Sequence, residues 1–156
     1  LYSKAMYNIC IRMIPGKIDA EDVLQDAFVA AFRNLKSYRG DSSFGAWLKK
    51  IVINKCIDFL RKKRSFMFDE ITEQVADTST TEEGIPELDP AIVHHAIKEL
   101  PEGARVVFSL FCMEGYRHKE IAETLGISES TSKSQYLRAR TMLQDKLKSS
   151  LYETAY

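Results

Sequence analysis

The first part of the chain shows only helical periodicity. An apolar stretch over residues 1–14 must end at Pro15-Gly16, because proline lacks an amide donor and glycine loosens the backbone. A second helix is expected from Asp19, which can cap it, with Glu21 and Asp22 in a first turn whose dipole favours carboxylates. Its expected buried face is Leu24, Ala27, Phe28, Ala31, Phe32 and Leu35, leaving Asp22, Gln25, Asp26, Val29 and Arg33 on another side. Residues 37–43 read as a loop closing on a serine able to cap a third, long helix. Phe44, Trp47, Leu48, Ile51, Val52 and Phe59 form the core stripe of that helix, and Lys50, Asn54, Asp58 and Arg61 its polar flank. Three helices make one compact unit.

Residues 67–89 have no sustained periodicity and the Ser, Thr, Glu, Gly and Pro content of a solvated linker. Asp89-Pro90 then supplies a cap and a proline at the first helical position, and Pro101 is expected to do the same for a helix ending near Gly115. A short helix over residues 119–125 is separated by Gly126 from one capped by Ser128 and running to about Leu147, with Thr131, Leu137, Met142 and Leu143 among its packing residues. The expected fold is all-α: a three-helix domain (1–66), an acidic linker (67–89) and a four-helix domain (90–150).

Charge sharpens that division. The whole chain balances 22 basic against 22 acidic residues, yet residues 1–66 hold 13 basic and 6 acidic, residues 67–90 hold none and 8, and residues 91–156 hold 9 and 8. A composition of 45% hydrophobic and 28% charged residues excludes a wholly disordered chain, and no apolar run reaches the length needed to span a bilayer. A cytoplasmic location without membrane insertion is expected. Cys10, Cys56 and Cys112 are too far apart for short zinc-ligand pairs, so buried free thiols are expected. His94 and His95 are adjacent and diverge on a helix, and His118 stands alone. No phosphate-cradling glycine loop or nucleophile elbow occurs, so neither a cofactor nor enzymatic chemistry is expected.

The sharpest local signal is residues 119–140, where Ile121, Ala122, Leu125 and Ile127 can pack two helices across a glycine turn. The second helix of such a unit can enter a major groove. Ser130, Ser132, Lys133, Gln135 and Tyr136 are placed to meet base edges or phosphates, and Arg138 and Arg140 to fix position; an ordinary helical hairpin is the bland alternative. In the first unit, Tyr38, Phe44 and Trp47 lie beside the basic run Arg61, Lys62, Lys63 and Arg64. Together they can stack unpaired bases and neutralise a single strand, or form core and a solvated helix end. Asn54 carries an amide able to read a base edge or to cap a neighbouring loop.

The runs DAEDVLQDAFVAAF, SYRGDSSFGAWLKKIVINKCIDFLRKKR and LPEGARVVFSLFCMEGYRHKEIAETLGISESTSKSQYLRAR resemble conserved regions 2 and 4 of extracytoplasmic-function (ECF) sigma factors, sigma-70 family, and cover essentially the whole chain. The resemblance implies a bacterial initiation factor that binds core RNA polymerase through the β′ coiled coil and the β flap. Carried onto matching positions, it makes Asp22, Gln25, Asp26 and Arg33 the dock for the coiled coil. It makes Tyr38, Arg39, Ser43, Phe44, Asn54 and Asp58 the pocket for a base flipped from the minus-ten element, with Arg61, Lys62, Lys63 and Arg64 on nearby phosphates. The minus-35 duplex falls to Ser130, Thr131, Ser132, Lys133, Gln135, Tyr136, Arg138 and Arg140. The acidic linker would thread into the polymerase, and an anti-sigma factor would clamp the two units.

Two departures from the family pattern bear on this. Residues 130–135 read STSKSQ where G-T-V-K-S-R is usual, so Gln135 offers an amide suited to adenine in place of an arginine fork suited to guanine. Arg117 also stands where a Ser or Thr cap is typical. Two other classes use the same parts: a stand-alone dimeric helix-turn-helix regulator, and an adaptor whose first unit only binds protein.

Overall fold

The computed structural model describes residues 2–62 and 89–154. The chain divides into two compact units, Leu1–Met67 and Phe68–Tyr156, and among the described residues all regular structure is helical. The acidic linker falls outside the described residues, except Asp89.

In the first unit, α1 (Ser3–Met13), α2 (Lys17–Arg33) and α3 (Phe44–Lys62) pack against one another pairwise, with a single 3-10 turn at Leu35–Ser37. Pro15-Gly16 ends α1 as expected. α2 begins two residues early: Gly16 takes the cap position and Asp19 lies within the first turn, placing Glu21 and Asp22 beyond it. Ser43 does cap α3, its Oγ accepting from the Ala46 N–H at 3.2 Å. The core joins Met6, Ile9, Cys10 and Met13 of α1 to Leu48, Val52, Ile53, Cys56, Ile57 and Leu60 of α3. Phe44, Trp47, Ile51 and Phe59 are only half-buried, flanking this stripe.

The expected buried face of α2 is corrected. Ala20, Val23, Ala27 and Ala31 point inward, Leu24 and Phe28 are half-buried, and Phe32 and Leu35 are exposed. Three alanines let the α2 backbone approach two neighbouring helices closely, which displaces the larger side chains to the flanks.

In the second unit, Asp89 caps α4 (Pro90–Lys98) through Oδ1 to the Ala91 N–H at 2.9 Å, with Pro90 at the first helical position. Pro101 sits instead at the cap position of α5 (Glu102–Phe108). That helix does not run on as α to Gly115. It widens into a π turn at Ser109–Met113, closed by the Glu114 N–H on the Ser109 carbonyl at 3.1 Å. A π turn holds one more residue than an α turn and so re-phases the side chains that follow. α6 (His118–Leu125) ends at Gly126, whose φ of +70° is the left-handed geometry that glycine adopts without steric cost. Ser128 caps α7 (Glu129–Thr154), its Oγ accepting from the Thr131 N–H at 3.0 Å, and α7 continues well past Leu147. One part of the core gathers Ala96, Ile97, Leu100, Ala104, Ala139 and Leu143, with Val93, Phe108, Met142 and Leu147 packed against them. Cys112 is exposed, contrary to expectation, because it lies on the outer side of the π turn.

Candidate nucleic-acid interface

The capped start of α3 organises an aromatic set. Phe44 and Trp47, three residues apart on one side of the helix, have ring centroids 5.5 Å apart. Tyr38 arrives from the preceding loop, its hydroxyl donating to the Ser42 carbonyl at 2.6 Å, and meets Phe44 at 5.7 Å and Trp47 at 5.3 Å. A fourth ring, Tyr2 at the head of α1, lies 5.4 Å from Phe44. Tyr2 rests so close to α3 that a Cβ on Gly45 would stand 3.0 Å from its Cε1, a tight contact that the ring could relieve only by shifting. Nothing in the linear pattern marks Tyr2 beyond its being aromatic.

Tyr38, Phe44 and Trp47 remain half-buried, and Arg39 and Ser43 beside them are exposed. This is the geometry of a stacking surface rather than a sealed core. Asn54, Asp58, Arg61 and Lys62 are exposed further along α3. Helical rise separates Phe44 from Asn54 by about 15 Å, so the rings and the amide form successive stations along the helix. Lys63 and Arg64 lie outside the described residues.

On α2, Asp22, Gln25, Asp26, Val29 and Arg33 face water as expected. Ile18 and Phe32, each 75% exposed, extend that face. Ile18, Asp22, Gln25, Val29 and Phe32 follow one another at four- and three-residue steps, so one stripe carries three large apolar groups with a carboxylate and an amide between them, and Asp26 beside it. Leu35 continues the apolar character beyond the helix end. Stepping the acidic face by three or four residues in either direction would have found Ile18 and Phe32.

In the second unit, α6 and α7 meet across the Gly126 turn as a helix-turn-helix. At the start of α6 the Arg117 N–H donates to Glu120 Oε1 at 3.3 Å. This is half of a capping box, the other half being closed to an arginine, which has no side-chain acceptor. Ser130, Lys133 and Arg138 are exposed on α7. Thr131 is half-buried, with its hydroxyl 2.9 Å from that of Ser128.

Ser132 and Gln135, at 0% and 2% exposure, are removed from the base-reading set. Ser132 Oγ lies 2.8 Å from His118 Nδ1, a bond that ties the first turn of α7 to the start of α6. The His118 ring stacks on Phe111 at 4.4 Å, and Tyr136 leans on Phe111 at 4.6 Å and on Phe108 at 6.2 Å. Tyr136 is therefore a half-buried support of the helix, and Arg140, one turn further on, is half-buried. Counting back from the core residues Leu143 and Ala139 in steps of four, four and three reaches Gln135 and then Ser132, the signal that places both inside. The adenine argument for Gln135 falls with its burial. Burial, then Lys133, lowers the His118 pKa, and Glu129 opposes them. His118, which stood alone in the sequence, is thus a structural joint.

Two helical units, one with an open aromatic surface and the other with a helix-turn-helix, define a nucleic-acid-binding architecture. A family model for Sigma-70 region 2 matches residues 1–66, and one for Sigma-70, region 4 matches residues 91–143. The chain is 31% identical over 159 residues to the ECF RNA polymerase sigma-E factor of Haemophilus influenzae, covering 94% of this chain and 83% of that one. It is 35% identical over 126 residues to the ECF RNA polymerase sigma factor SigM of Mycobacterium tuberculosis, covering 80% of this chain but only 62% of the length of SigM. Among solved structures, the sigma factor RpoE of Bartonella quintana, crystallised with the anti-sigma factor NepR, aligns with a TM-score of 0.63 and 26% identity. That alignment covers 94% of this chain and 92% of RpoE. The chain belongs to the ECF group of the sigma-70 family.

Proposed function

We propose that the chain is an alternative sigma factor that binds core RNA polymerase and directs promoter-specific initiation in the cytoplasm. The observation that carries this reading is the pairing, in one chain, of an open aromatic surface within the region 2 match and a helix-turn-helix within the region 4 match. The acidic and apolar stripe of α2 docks the basic coiled coil of β′, and the second unit engages the β flap. Exposed Ser130, Lys133 and Arg138 meet the minus-35 duplex. Tyr38, Phe44 and Trp47 stack bases of the minus-ten strand, Asn54 and Asp58 meet a neighbouring nucleotide, and Arg61, Lys62, Lys63 and Arg64 hold phosphates.

Extruding a base costs a few kcal/mol, which stacking recovers only where the right base enters, so binding energy does the opening and no cofactor is required. The catalytic centre belongs to the polymerase. A protein of the anti-sigma class, such as the NepR crystallised with RpoE, regulates the chain by covering its polymerase-binding faces.

The test is reconstituted initiation with purified core enzyme, with permanganate footprinting of the minus-ten region on promoters mapped after overexpression. Start-site-specific transcripts and reactive thymines are expected only when core and chain are both present. Tight duplex binding by the chain alone, with initiation unchanged by its addition, would establish the stand-alone regulator instead.

A further inference from the structure

The core of the first unit contains a feature that promoter binding does not use. Cys10 on α1 and Cys56 on α3 are fully buried and free, and their Sγ atoms are 3.8 Å apart, in van der Waals contact across the two helices. They are separated by 46 positions in sequence, so no local turn forces this meeting. We propose that Cys10 and Cys56 form a latent redox pair, which a hydroperoxide converts into an intramolecular disulfide locking α1 to α3.

The two sulfurs are not equivalent. The Cys56 thiol donates toward Cys10, which lowers the Cys10 pKa against the opposing effect of burial and raises that of Cys56, so Cys10 is the more readily ionised of the two. Cys10 is therefore the first nucleophile. Its thiolate attacks one peroxide oxygen and the O–O bond breaks. Cys10 becomes a sulfenic acid, and the other oxygen leaves as water or an alcohol after taking a proton. Cys56 sulfur then attacks the Cys10 sulfur, the S–O bond breaks, and hydroxide leaves with the Cys56 proton as water. Two electrons pass from the thiol pair to the peroxide. A closure of less than 2 Å between the sulfurs completes the bond, within reach of side-chain rotation.

Burial sets the conditions. Peroxide reaches the pair through brief opening of α1 against α3, whereas exposed Cys112 meets reagents directly. Once formed, the bond closes a long loop of the unfolded chain, so the oxidised unit melts at a higher temperature.

The experiment uses the full chain carrying Cys112→Ser, which removes the exposed thiol and with it dimers through that residue. Under native conditions hydrogen peroxide is expected to remove two hydrogens from the intact mass and yield a linked Cys10–Cys56 peptide on digestion. The melting temperature of the first unit should rise by roughly 10 °C and return on reduction with dithiothreitol. Cys10→Ala and Cys56→Ala, introduced singly, should abolish the linked peptide. Linkage that appears only in denaturant would overturn the proposal. So would oxidation that stops at sulfinic acid on one cysteine, or a linked chain that melts no higher than the reduced one.

Discussion

α2 of the first unit buries only apolar side chains, whereas α7 of the second buries two polar ones beside Ala139 and Leu143. α2 turns alanines and a valine inward and leaves Ile18, Val29 and Phe32 in water beside Asp22 and Asp26. α7 turns Ser132 and Gln135 inward and leaves Lys133 and Arg138 out. An exposed apolar stripe with Asp22 in it and Asp26 beside it suits a protein partner that is both greasy and basic. An outer face of hydroxyl and cationic groups suits a phosphate backbone and base edges. The difference teaches that each helix carries on its outer face a chemistry that its own core does not require, as the proposed function expects.

The largest expected effects come from the cores. Leu48→Ala should destabilise the first unit by about 2–5 kcal/mol, and Leu110→Ala the second by a similar amount, since both side chains are buried. In chemical denaturation followed by residue-specific probes, each substitution should shift the midpoint of its own unit. Loss of the other unit's structure at the same midpoint would break the division between them.

Next comes the α2 stripe. Phe32→Asp should weaken binding to core polymerase by about 2 kcal/mol, roughly thirtyfold, without loss of helicity by circular dichroism. Because Phe32 is already in water, a fall in stability comparable to that of Leu48→Ala would show that it serves the fold instead. Phe44→Ala combined with Asn54→Ala should leave polymerase affinity near that of the unaltered chain while reducing permanganate reactivity at the minus-ten element.

Smaller effects separate the two faces of α7. Lys133→Ala should lower affinity for minus-35 duplex in the holoenzyme across all sequences and reduce the salt slope by about one. Ser132→Ala should instead cost about 1 kcal/mol of stability, through the lost bond to His118, and leave base preference unchanged. Altered base preference in Ser132→Ala would return that residue to the DNA surface.

The smallest effect is the pH response of the joint. The His118 pKa is lowered in the folded chain, so the unfolded chain binds a proton there more readily. The contribution of this group to stability is thus full above the ordinary histidine value of 6.5 and is lost as pH falls through the folded pKa. Thermal melts across that interval should show the second unit losing stability on acidification, and His118→Asn should flatten the slope.

Sequence alone determined that the described elements are helices, and it fixed several of their ends. Pro15-Gly16, Ser43, Asp89-Pro90, Gly126 and Ser128 act through local chemistry: a missing amide donor, a side-chain acceptor within reach, a left-handed residue. It also revealed the helix-turn-helix and the aromatic residues around the start of α3, because each motif is written in neighbouring positions. Only tertiary structure decided that alanines and Val23 rather than Phe32 and Leu35 fill the buried face of α2, since that choice rests on how closely a neighbouring helix approaches. It brought Tyr2 onto Phe44, His118 onto Ser132 and Cys10 onto Cys56, pairs joined by helix packing. Their separation along the chain leaves no periodic trace, so only the packed helices reveal them.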